Sequence, residues 1–366
     1  QQPGQGAPGN IATTDDQYPF HQPIITRQMS FQISLQPDGQ QFPATADQSL
    51  LDAALAAGLL LPYGCRDGAC GACKGKVLSG SFEHGAICAG ALSDADRDAG
   101  MALFCRAQAR SDLVLEARNV RRADDIPVKK LPCRVHSLKR VADDVMILEL
   151  RLPASERFAF RAGQYIDLLL ADGRRRSFSI ANAPHDAELL ELHIRLVHGG
   201  QFTPHVFDGM KERDILRFEG PLGSFTLDEH ADTPIVLLCG GTGFAPIKSI
   251  VEHARHLGIR RPMALYWGAR QADGLYLDAL AREWAANIPG FRYIPVLSGL
   301  SDNDGWQGRR GLVHEALMAD FPDLSAHQVY ACGAPAMIEA ARADLSGRCA
   351  LPAEAFFADS FTFSTT

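Results

Sequence analysis

The feature that most constrains the fold of this chain is an eleven-residue segment, CRDGACGACKG (65–75). It contains three cysteines and no large apolar side chain. Cys65 and Cys70 are separated by four residues, Cys70 and Cys73 by two, and LFCRA supplies a further thiol at Cys105. Glycine and alanine fill the gaps, and such small residues let a backbone come close to a bound group. The segment is therefore expected to wrap a group held by its thiols rather than to pack as core.

The spacing Cys-x4-Cys-x2-Cys, with a fourth cysteine further along, is typical of a two-iron two-sulfur cluster. It predicts a [2Fe–2S] site with the ligands Cys65, Cys70, Cys73 and Cys105. The alternatives are disulfides and structural zinc, but zinc more often shows two separated Cys-x2-Cys pairs. The other cysteines outside the motifs are predicted to be small buried residues: Cys88, Cys133, Cys239 and Cys349.

Composition excludes several classes of partner. The net charge of −7, from 36 basic and 43 acidic residues, gives no reason to expect nucleic acid or an anionic membrane. The longest apolar run, ALAAGLLL, is far shorter than the roughly 20 residues that a bilayer demands. Nine cysteines without a secretory signal favour a reducing compartment, the cytoplasm. Residues 1–28 are polar and rich in Gln and Pro, so we expect a disordered leader.

The rest of the chain divides into three blocks, expected at residues 29–122, 129–229 and 230–366. The first opens with a strand hairpin around Pro37-Asp38-Gly39 and a helix capped by Ser49. The second is rich in alternating strands such as LLELHIRLVHGG, which predicts a small antiparallel barrel. The third alternates apolar strands with helices, which predicts a parallel sheet covered by helices.

In the order of these blocks, from Met29 to Phe361, the chain resembles the ferredoxin-fused NAD(P)H reductases of the ferredoxin–NADP reductase superfamily. This family includes CDP-6-deoxy-Δ3,4-glucoseen reductase and the reductase components of phenol, methane and benzoate oxygenases. The resemblance implies a multidomain protein: an N-terminal β-grasp domain like plant-type ferredoxin, an antiparallel β-barrel flavin domain, and a C-terminal α/β nicotinamide domain with a parallel sheet. It implies FAD rather than FMN, because FMN relatives usually carry the ferredoxin domain at the C-terminus.

Two segments of the second block resemble the flavin motifs of the family. Arg176-Ser177-Phe178-Ser179 is similar to Arg-x-Tyr-Ser/Thr, whose Arg pairs with the flavin phosphate and whose Ser or Thr lies by the flavin N5. Phe178 replaces the usual Tyr and can supply a ring face but no phenol hydrogen bond. The segment 199–203 resembles the stretch that cradles the pyrophosphate. The flavin contacts implied there are Gly199, Gly200 and Thr203, and His193 on the polar face of the preceding strand is assigned with them.

Three segments of the third block resemble the nicotinamide motifs. CGGTGFAP follows a strand and opens a helix, so its backbone N–H groups could meet a pyrophosphate. Cys332-Gly333 resembles the family's Cys-Gly-x-Pro, whose Cys lies near the nicotinamide C4, and Phe361 resembles the aromatic residue that packs near the flavin. Arg270, after the second strand, could accept a 2′-phosphate, although NADH is favoured. The loop contacts are Gly240, Gly241, Thr242 and Gly243.

The predicted activity is therefore that of an NAD(P)H-dependent oxidoreductase, in which Ser179 and Cys332 lie at the reacting atoms. Electrons pass from NAD(P)H through FAD to the cluster, and then to a partner protein. The hypothesis we favour is a reductase of the glucoseen-reductase type that serves a dehydratase. The alternatives are the reductase component of an oxygenase, an NAD(P)H–flavin reductase, and a redox sensor or carrier without significant turnover.

Overall fold

The structure, a computed structural model, describes residues 29–88, 91–117, 120–122, 126–299 and 305–361. In these residues the chain forms three successive domains of the predicted classes. The predicted disorder of residues 1–28 falls outside the described residues. Among the described helices, none is both long and apolar enough to cross a bilayer.

The first domain is a mixed five-stranded sheet covered by a short helix. Its elements are β1 (Ser30–Gln36), β2 (Gln41–Thr45), α1 (Leu50–Ala56), β3 (Leu59–Leu60), β4 (Lys74–Ser79), β5 (Phe82–His84), α2 (Asp94–Asp98), β6 (Met101–Leu103), β7 (Ala107–Ala109), β8 (Leu113–Glu116) and β9 (Arg121–Arg122). The sheet order is β2-β1-β8-β4-β6, and β1 runs parallel to the central β8, as in a β-grasp fold. The predicted helix start is confirmed, since Ser49 Oγ accepts a hydrogen bond from the Asp52 N–H at 3.0 Å.

The second domain is an antiparallel barrel. Its elements are β10 (Lys129–Ala142), β11 (Val145–Arg151), β12 (Tyr165–Leu169), β13 (Arg175–Ser179), a 3₁₀ turn (Pro184–Asp186), β14 (Leu189–Arg195), α3 (Phe202–Asp208) and β15 (Ile215–Leu222). The order is β13-β12-β15-β10-β11-β14, and a bridge between Ile180 and Leu192 joins its two edges. The alternation predicted for β14 is confirmed: Leu190, Leu192 and Ile194 are in the barrel core.

The third domain is a six-stranded parallel sheet with helices on both faces. Its elements are β16 (Ile235–Gly240), α4 (Phe244–His256), β17 (Met263–Ala269), α5 (Asp278–Asn287), β18 (Phe291–Leu297), β19 (Arg309–Arg310), α6 (Val313–Asp320), β20 (Gln328–Gly333), α7 (Pro335–Arg348) and β21 (Phe356–Ser360), with 3₁₀ turns at Gly241–Gly243, Ala272–Gly274 and Ala353–Ala355. Leu237 and Leu238 enter separate cores on opposite faces, which explains the continuous apolar run in β16.

The strand order of this sheet, β19-β18-β17-β16-β20-β21, reverses direction between β16 and β20. Ligands of open α/β sheets bind beyond the carboxyl ends of the strands at such a reversal. The GGTG loop follows β16 and Gly333 ends β20, so both predicted nicotinamide segments lie at this point.

The segment just before the cysteine loop connects the first domain to the barrel. The Tyr63 N–H donates to Ser224 Oγ at 2.9 Å, and the Gly223 N–H donates to the Tyr63 hydroxyl at 2.9 Å. The Tyr165 hydroxyl donates to the Gly64 carbonyl at 2.6 Å. The cysteine loop is therefore hydrogen-bonded against the end of the barrel that carries the flavin motifs.

Candidate functional site

The four predicted cluster thiols form two close pairs. The sulfurs of Cys73 and Cys105 lie 3.1 Å apart. In the other pair, the backbone N–H of each cysteine donates to the sulfur of its partner. The Cys70 N–H lies 3.3 Å from Cys65 Sγ, and the Cys65 N–H lies 3.4 Å from Cys70 Sγ. Two pairs of thiols suit two irons that each take two cysteine ligands.

A single metal ion fits this arrangement less well than two irons. Across the described ranges, no group of three or more His, Cys, Asp or Glu side chains is arranged to hold one metal ion. A tetrahedral zinc site requires four ligands around one point, whereas these thiols are divided into two pairs. The geometry therefore favours the iron–sulfur interpretation over zinc, and all nine cysteines are unbridged.

The loop backbone points its N–H groups at the sulfur of Cys65. The donors are the amides of Asp67, Ala69 and Cys70, at 3.3–3.5 Å. A hydrogen bond from the Cys70 thiol, together with these amides, lowers the pKa of Cys65 to about 6 although burial raises it. A thiol must lose its proton to bind metal, so the loop favours the binding form of this ligand.

Gly68 has both a conformational and a steric reason to be glycine. Its φ is +72°, in the left-handed region, and a Cβ there would lie 2.7 Å from Arg106 Cγ and 3.2 Å from Ile87 Cγ2. The expectation that the loop needs small residues is supported at this position. One expectation about the other cysteines is wrong: Cys88 is exposed, whereas Cys133, Cys239 and Cys349 are buried as predicted.

An open cleft lies where the three domains meet. It is lined by Cys65 of the first domain, by the barrel, and by Thr242 and Phe361 of the third domain. The cleft extends from a predicted cluster ligand to the GGTG loop, so one continuous space connects the two ends of the predicted electron path. The predicted residues that line it are Cys65, Arg176, Ser177, Phe178, Ser179, His193, Gly200, Thr203, Thr242 and Phe361.

The barrel residues of the cleft are held by neighbouring strands and turns. Ser177 Oγ donates to Asp167 Oδ1 across the β12–β13 ladder at 2.6 Å. Phe178 packs on Phe202, with ring centroids 5.7 Å apart. The hydroxyl of Thr203 accepts from the Val197 N–H at 2.9 Å, so it also fixes the turn that precedes α3.

Several other predicted contacts lie behind the surface of the cleft. A Cβ on Gly243 would be 2.2 Å from the Cys332 carbonyl, and a Cβ on Gly240 would be 2.8 Å from Met337 Sδ. The Cys332 thiol is fully buried, and burial raises its pKa well above its ordinary value. The predicted residues outside the lining of the cleft are Gly199, Gly240, Gly241, Gly243, Arg270, Cys332 and Gly333. Arg270 is exposed, just past the end of β17.

Other residues that line the cleft were not predicted from the sequence, among them Asp359, Arg195 and Tyr165. Burial, with the neighbouring Cys65, raises the pKa of Asp359 to about 7 although Ser179 hydrogen-bonds to the carboxyl and lowers it. Arg195 pairs with Asp144 at 3.5 Å and places Nη2 3.0 Å from where a Gly241 Cβ would be. The available signal was spacing: Arg195 lies two residues after His193 on the same face of β14, and Asp359 lies two residues before Phe361.

A thiol cluster site, a flavin-type barrel and a dinucleotide-type sheet around one cleft define an iron–sulfur flavoprotein reductase. Residues 33–110 match the profile of a 2Fe-2S iron-sulfur cluster binding domain. Residues 132–227 match an oxidoreductase FAD-binding domain, and residues 237–343 match an oxidoreductase NAD-binding domain. The chain belongs to the ferredoxin-fused reductases of the ferredoxin–NADP reductase superfamily.

Similar proteins span nearly the whole chain. CDP-6-deoxy-L-threo-D-glycero-4-hexulose-3-dehydrase reductase of Yersinia pseudotuberculosis is 41% identical over 333 residues, which cover 91% of this chain and 99% of that protein. Reductase component 1 of the terephthalate 1,2-dioxygenase of Comamonas sp is 37% identical over 340 residues, 92% of this chain and 99% of that protein. The crystal structure of the Amycolatopsis cytochrome P450 reductase GcoB has a TM-score of 0.73 at 35% identity, covering 92% of this chain and all of that one.

The protein is thus an NAD(P)H-dependent oxidoreductase that passes electrons through FAD and a 2Fe-2S cluster to a partner protein. When bound, NAD(P)H would supply a hydride, FAD would hold the electron pair, and a cluster on the four thiols would carry single electrons. The chain itself contributes the thiols and a cleft lined by residues of all three domains.

Replacing Gly243 by alanine is expected to lower the unfolding free energy by about 1–3 kcal/mol, because a Cβ 2.2 Å from the Cys332 carbonyl forces the loop away from β20. The KM for NADH should rise, while iron and FAD content stay at wild-type levels. Gly347→Ala is the matched control, since nothing lies within 4 Å of a Cβ at that position in α7. Denaturant unfolding and steady-state kinetics test this, and equal effects of the two changes would contradict it.

Proposed function

We propose that this reductase delivers electrons to a dehydratase that acts on a CDP-linked 6-deoxyhexulose, the role named in the Yersinia relative. The proposal is supported by 41% identity over 91% of this chain and 99% of that protein. The single structural observation that carries the electron path is the cleft that both Cys65 and Thr242 line.

Each step of the path has a proposed set of residues. The cluster ligands are Cys65, Cys70, Cys73 and Cys105, and the paired sulfurs support this assignment. The flavin contacts are Arg176, Ser177, Phe178, Ser179, Gly199, Gly200, Thr203 and Phe361; His193, grouped with them from the sequence, lines the same cleft. The nicotinamide contacts are Gly240, Gly241, Thr242, Gly243, Arg270, Cys332 and Gly333. Ser179 lines the cleft and is proposed to lie at the reacting end of the flavin, whereas the Cys332 thiol is buried and its carbonyl lies against Gly243 of the loop.

The second candidate function is the reductase component of an oxygenase. It is favoured by 37% identity to the terephthalate dioxygenase reductase over 92% of this chain. Partner identity separates the two candidates, because both predict the same internal electron path.

The test uses the purified holoprotein with its FAD and iron content measured. NADH should reduce ferricyanide rapidly, which a sensor or carrier without turnover would not do. The dehydratase with its CDP-sugar substrate, and an aromatic-ring dioxygenase with its substrate, are then added separately. Substrate turnover when the dehydratase is added, but not when the oxygenase is added, supports the proposal. Turnover with the oxygenase alone overturns it in favour of the second candidate.

The proposed electron donor is NADH. Arg270 is the proposed partner for the 2′-phosphate when NADPH is used, because it is exposed at the carboxyl end of β17. Arg270→Ala should lower kcat/KM for NADPH about tenfold, since a charge-assisted hydrogen bond contributes about 1.5–3 kcal/mol. The value for NADH should change less than twofold. Equal losses with both nucleotides would contradict the assignment.

We also propose the domain limits 29–122, 129–229 and 230–366, and a cytoplasmic location. The first limit is supported by β9, which pairs with β3 and so belongs to the first domain. Nine unbridged cysteines suit the reducing conditions of the cytoplasm.

A further inference from the structure

A chain of polar side chains centred on the buried His193 connects the barrel to the nucleotide domain beside the cleft. His193 Nε2 lies 2.6 Å from Glu191 Oε1, and His193 Nδ1 lies 2.8 Å from the Tyr276 hydroxyl. Glu191 and His193 belong to β14 of the barrel, whereas Tyr276 belongs to the segment before α5 of the nucleotide domain. Lys248 of α4 adds a second connection, with Nζ 3.3 Å from Glu191 Oε2.

The hydrogen-bond directions follow from the charges. Hydrogen bonds to His193 and the charge of Lys248 hold the pKa of Glu191 at about 2 against its burial, so its carboxylate can only accept. His193 Nε2 therefore carries the proton and donates to Glu191. Burial lowers the pKa of His193, which leaves Nδ1 free to accept from the Tyr276 hydroxyl. Both ring nitrogens are thus used by protein partners, and neither is available to a ligand in the cleft.

Tyr276 lies directly behind the GGTG loop. Its ring meets Phe244, the first residue of α4, edge-on at 6.1 Å, and meets Trp267 edge-on at 5.3 Å. Phe244 and Trp267 stack at 3.9 Å, and the Trp267 Nε1–H donates to the Gly241 carbonyl at 3.0 Å. The connection from the barrel therefore reaches the loop through one layer of aromatic rings.

We propose that the Glu191–His193–Tyr276 chain sets the position of the dinucleotide loop over the flavin cleft, which makes His193 and Tyr276 positioning residues for hydride transfer. This inference rests on the NAD(P)H-to-FAD path and assigns His193 a role different from direct flavin contact. Hydride transfer is steeply sensitive to geometry, and a misplacement of about 1 Å can cost up to about a hundredfold in rate. A buried histidine and two half-buried partners that bond only in one relative position of the two domains are suited to fixing that geometry.

The variants separate positioning from simple stability. Tyr276→Phe removes only the hydroxyl that crosses the domain boundary. Tyr266→Phe is the matched control, because its hydroxyl bonds Asp320 at 2.7 Å within the nucleotide domain. His193→Asn keeps a polar group at the Nδ1 position facing Tyr276, whereas His193→Gln keeps one at the Nε2 position facing Glu191.

The measurement is stopped-flow bleaching of the flavin absorbance by saturating NADH in the holoprotein. We expect Tyr276→Phe and His193→Gln to slow bleaching about tenfold, with the Kd for NADH and the FAD and iron content within twofold of wild type. The bleaching rate of His193→Asn should be within about threefold of the wild-type rate, because this variant keeps a polar group facing Tyr276. The bleaching rate of Tyr266→Phe should equal that of the wild type.

Several results would overturn the inference. One is wild-type bleaching in Tyr276→Phe, and another is equal slowing in Tyr276→Phe and Tyr266→Phe. Loss of FAD from both His193 variants would assign His193 to flavin contact instead. If the His193 variants do not fold, Tyr276→Phe decides alone, because it deletes a single oxygen. Failure of NADH to bleach the flavin of the wild-type protein would overturn the electron path itself. This result differs from failure of the positioning inference because it is seen without any substitution.

Discussion

Replacing Cys70 by serine is expected to abolish the visible absorbance of the cluster and to lower the iron content to background, while NADH still bleaches the flavin. Cys70 pairs with Cys65 in the loop, and a serine oxygen is a poor substitute for the soft thiolate that iron–sulfur clusters select. The flavin cleft is lined by Cys65 but not by Cys70, so loss of this thiol leaves the barrel side of the cleft intact. Ferricyanide reduction should therefore continue, and electron delivery to the partner should fall to background.

Cys88→Ser is the matched control for this experiment. Cys88 is exposed and unbridged, and its N–H donates to the Gly68 carbonyl at 3.1 Å, so it flanks the same loop. It should keep full cluster absorbance and iron content. A Cys70→Ser protein that keeps its cluster, or a Cys88→Ser protein that loses it, would show that the ligand assignment is wrong.

The parts of the site that the sequence predicted are those determined by local chain geometry. The cysteine spacing, the Ser49 cap and the alternation in β14 each depend on neighbours within a few residues, and the structure has the predicted local form in all three cases. The order of the three domains also follows from periodicity, because strand and helix patterns differ along the chain.

The missed parts depend on contacts between segments far apart in the sequence. Tyr165 donates to Gly64 across 101 positions, and His193 meets Tyr276 across 83. Gly243 likewise meets a distant segment, because the atom nearest to a Cβ at this position would be the backbone carbonyl of Cys332 on another strand. No local pattern specifies which distant partner a side chain meets, so a single sequence identifies the faces but not the pairs.

Asp359 is the clearest example of a site residue that the sequence did not predict. Its ionisation is expected to have a large effect on the pH dependence of the unfolding free energy. Asp359 lies in β21 opposite Cys332 of β20, and it is 7% exposed. Burial and Cys65 raise its pKa from 3.8 to about 7. Because the native pKa exceeds the unfolded one, the native state keeps a proton that the unfolded chain releases between about pH 4 and pH 7. Stability from this group is therefore present below pH 4 and lost as pH rises through 7.

Asp359→Asn should remove this pH dependence, because the amide cannot ionise. From pH 5 to pH 8 the wild-type unfolding free energy should fall by about 2–3 kcal/mol because of this group, whereas the variant should not show this loss. Denaturant unfolding of both holoproteins at the two pH values measures the difference. Asp232→Asn, at an exposed position, controls for the charge change itself and should show the same loss as wild type. If the Asp359→Asn and wild-type proteins respond to pH in parallel, then Asp359 is already ionised at pH 5 in the native state. The cleft would then hold a permanent negative charge beside Ser179, where a group poised to gain or lose a proton near neutral pH is expected.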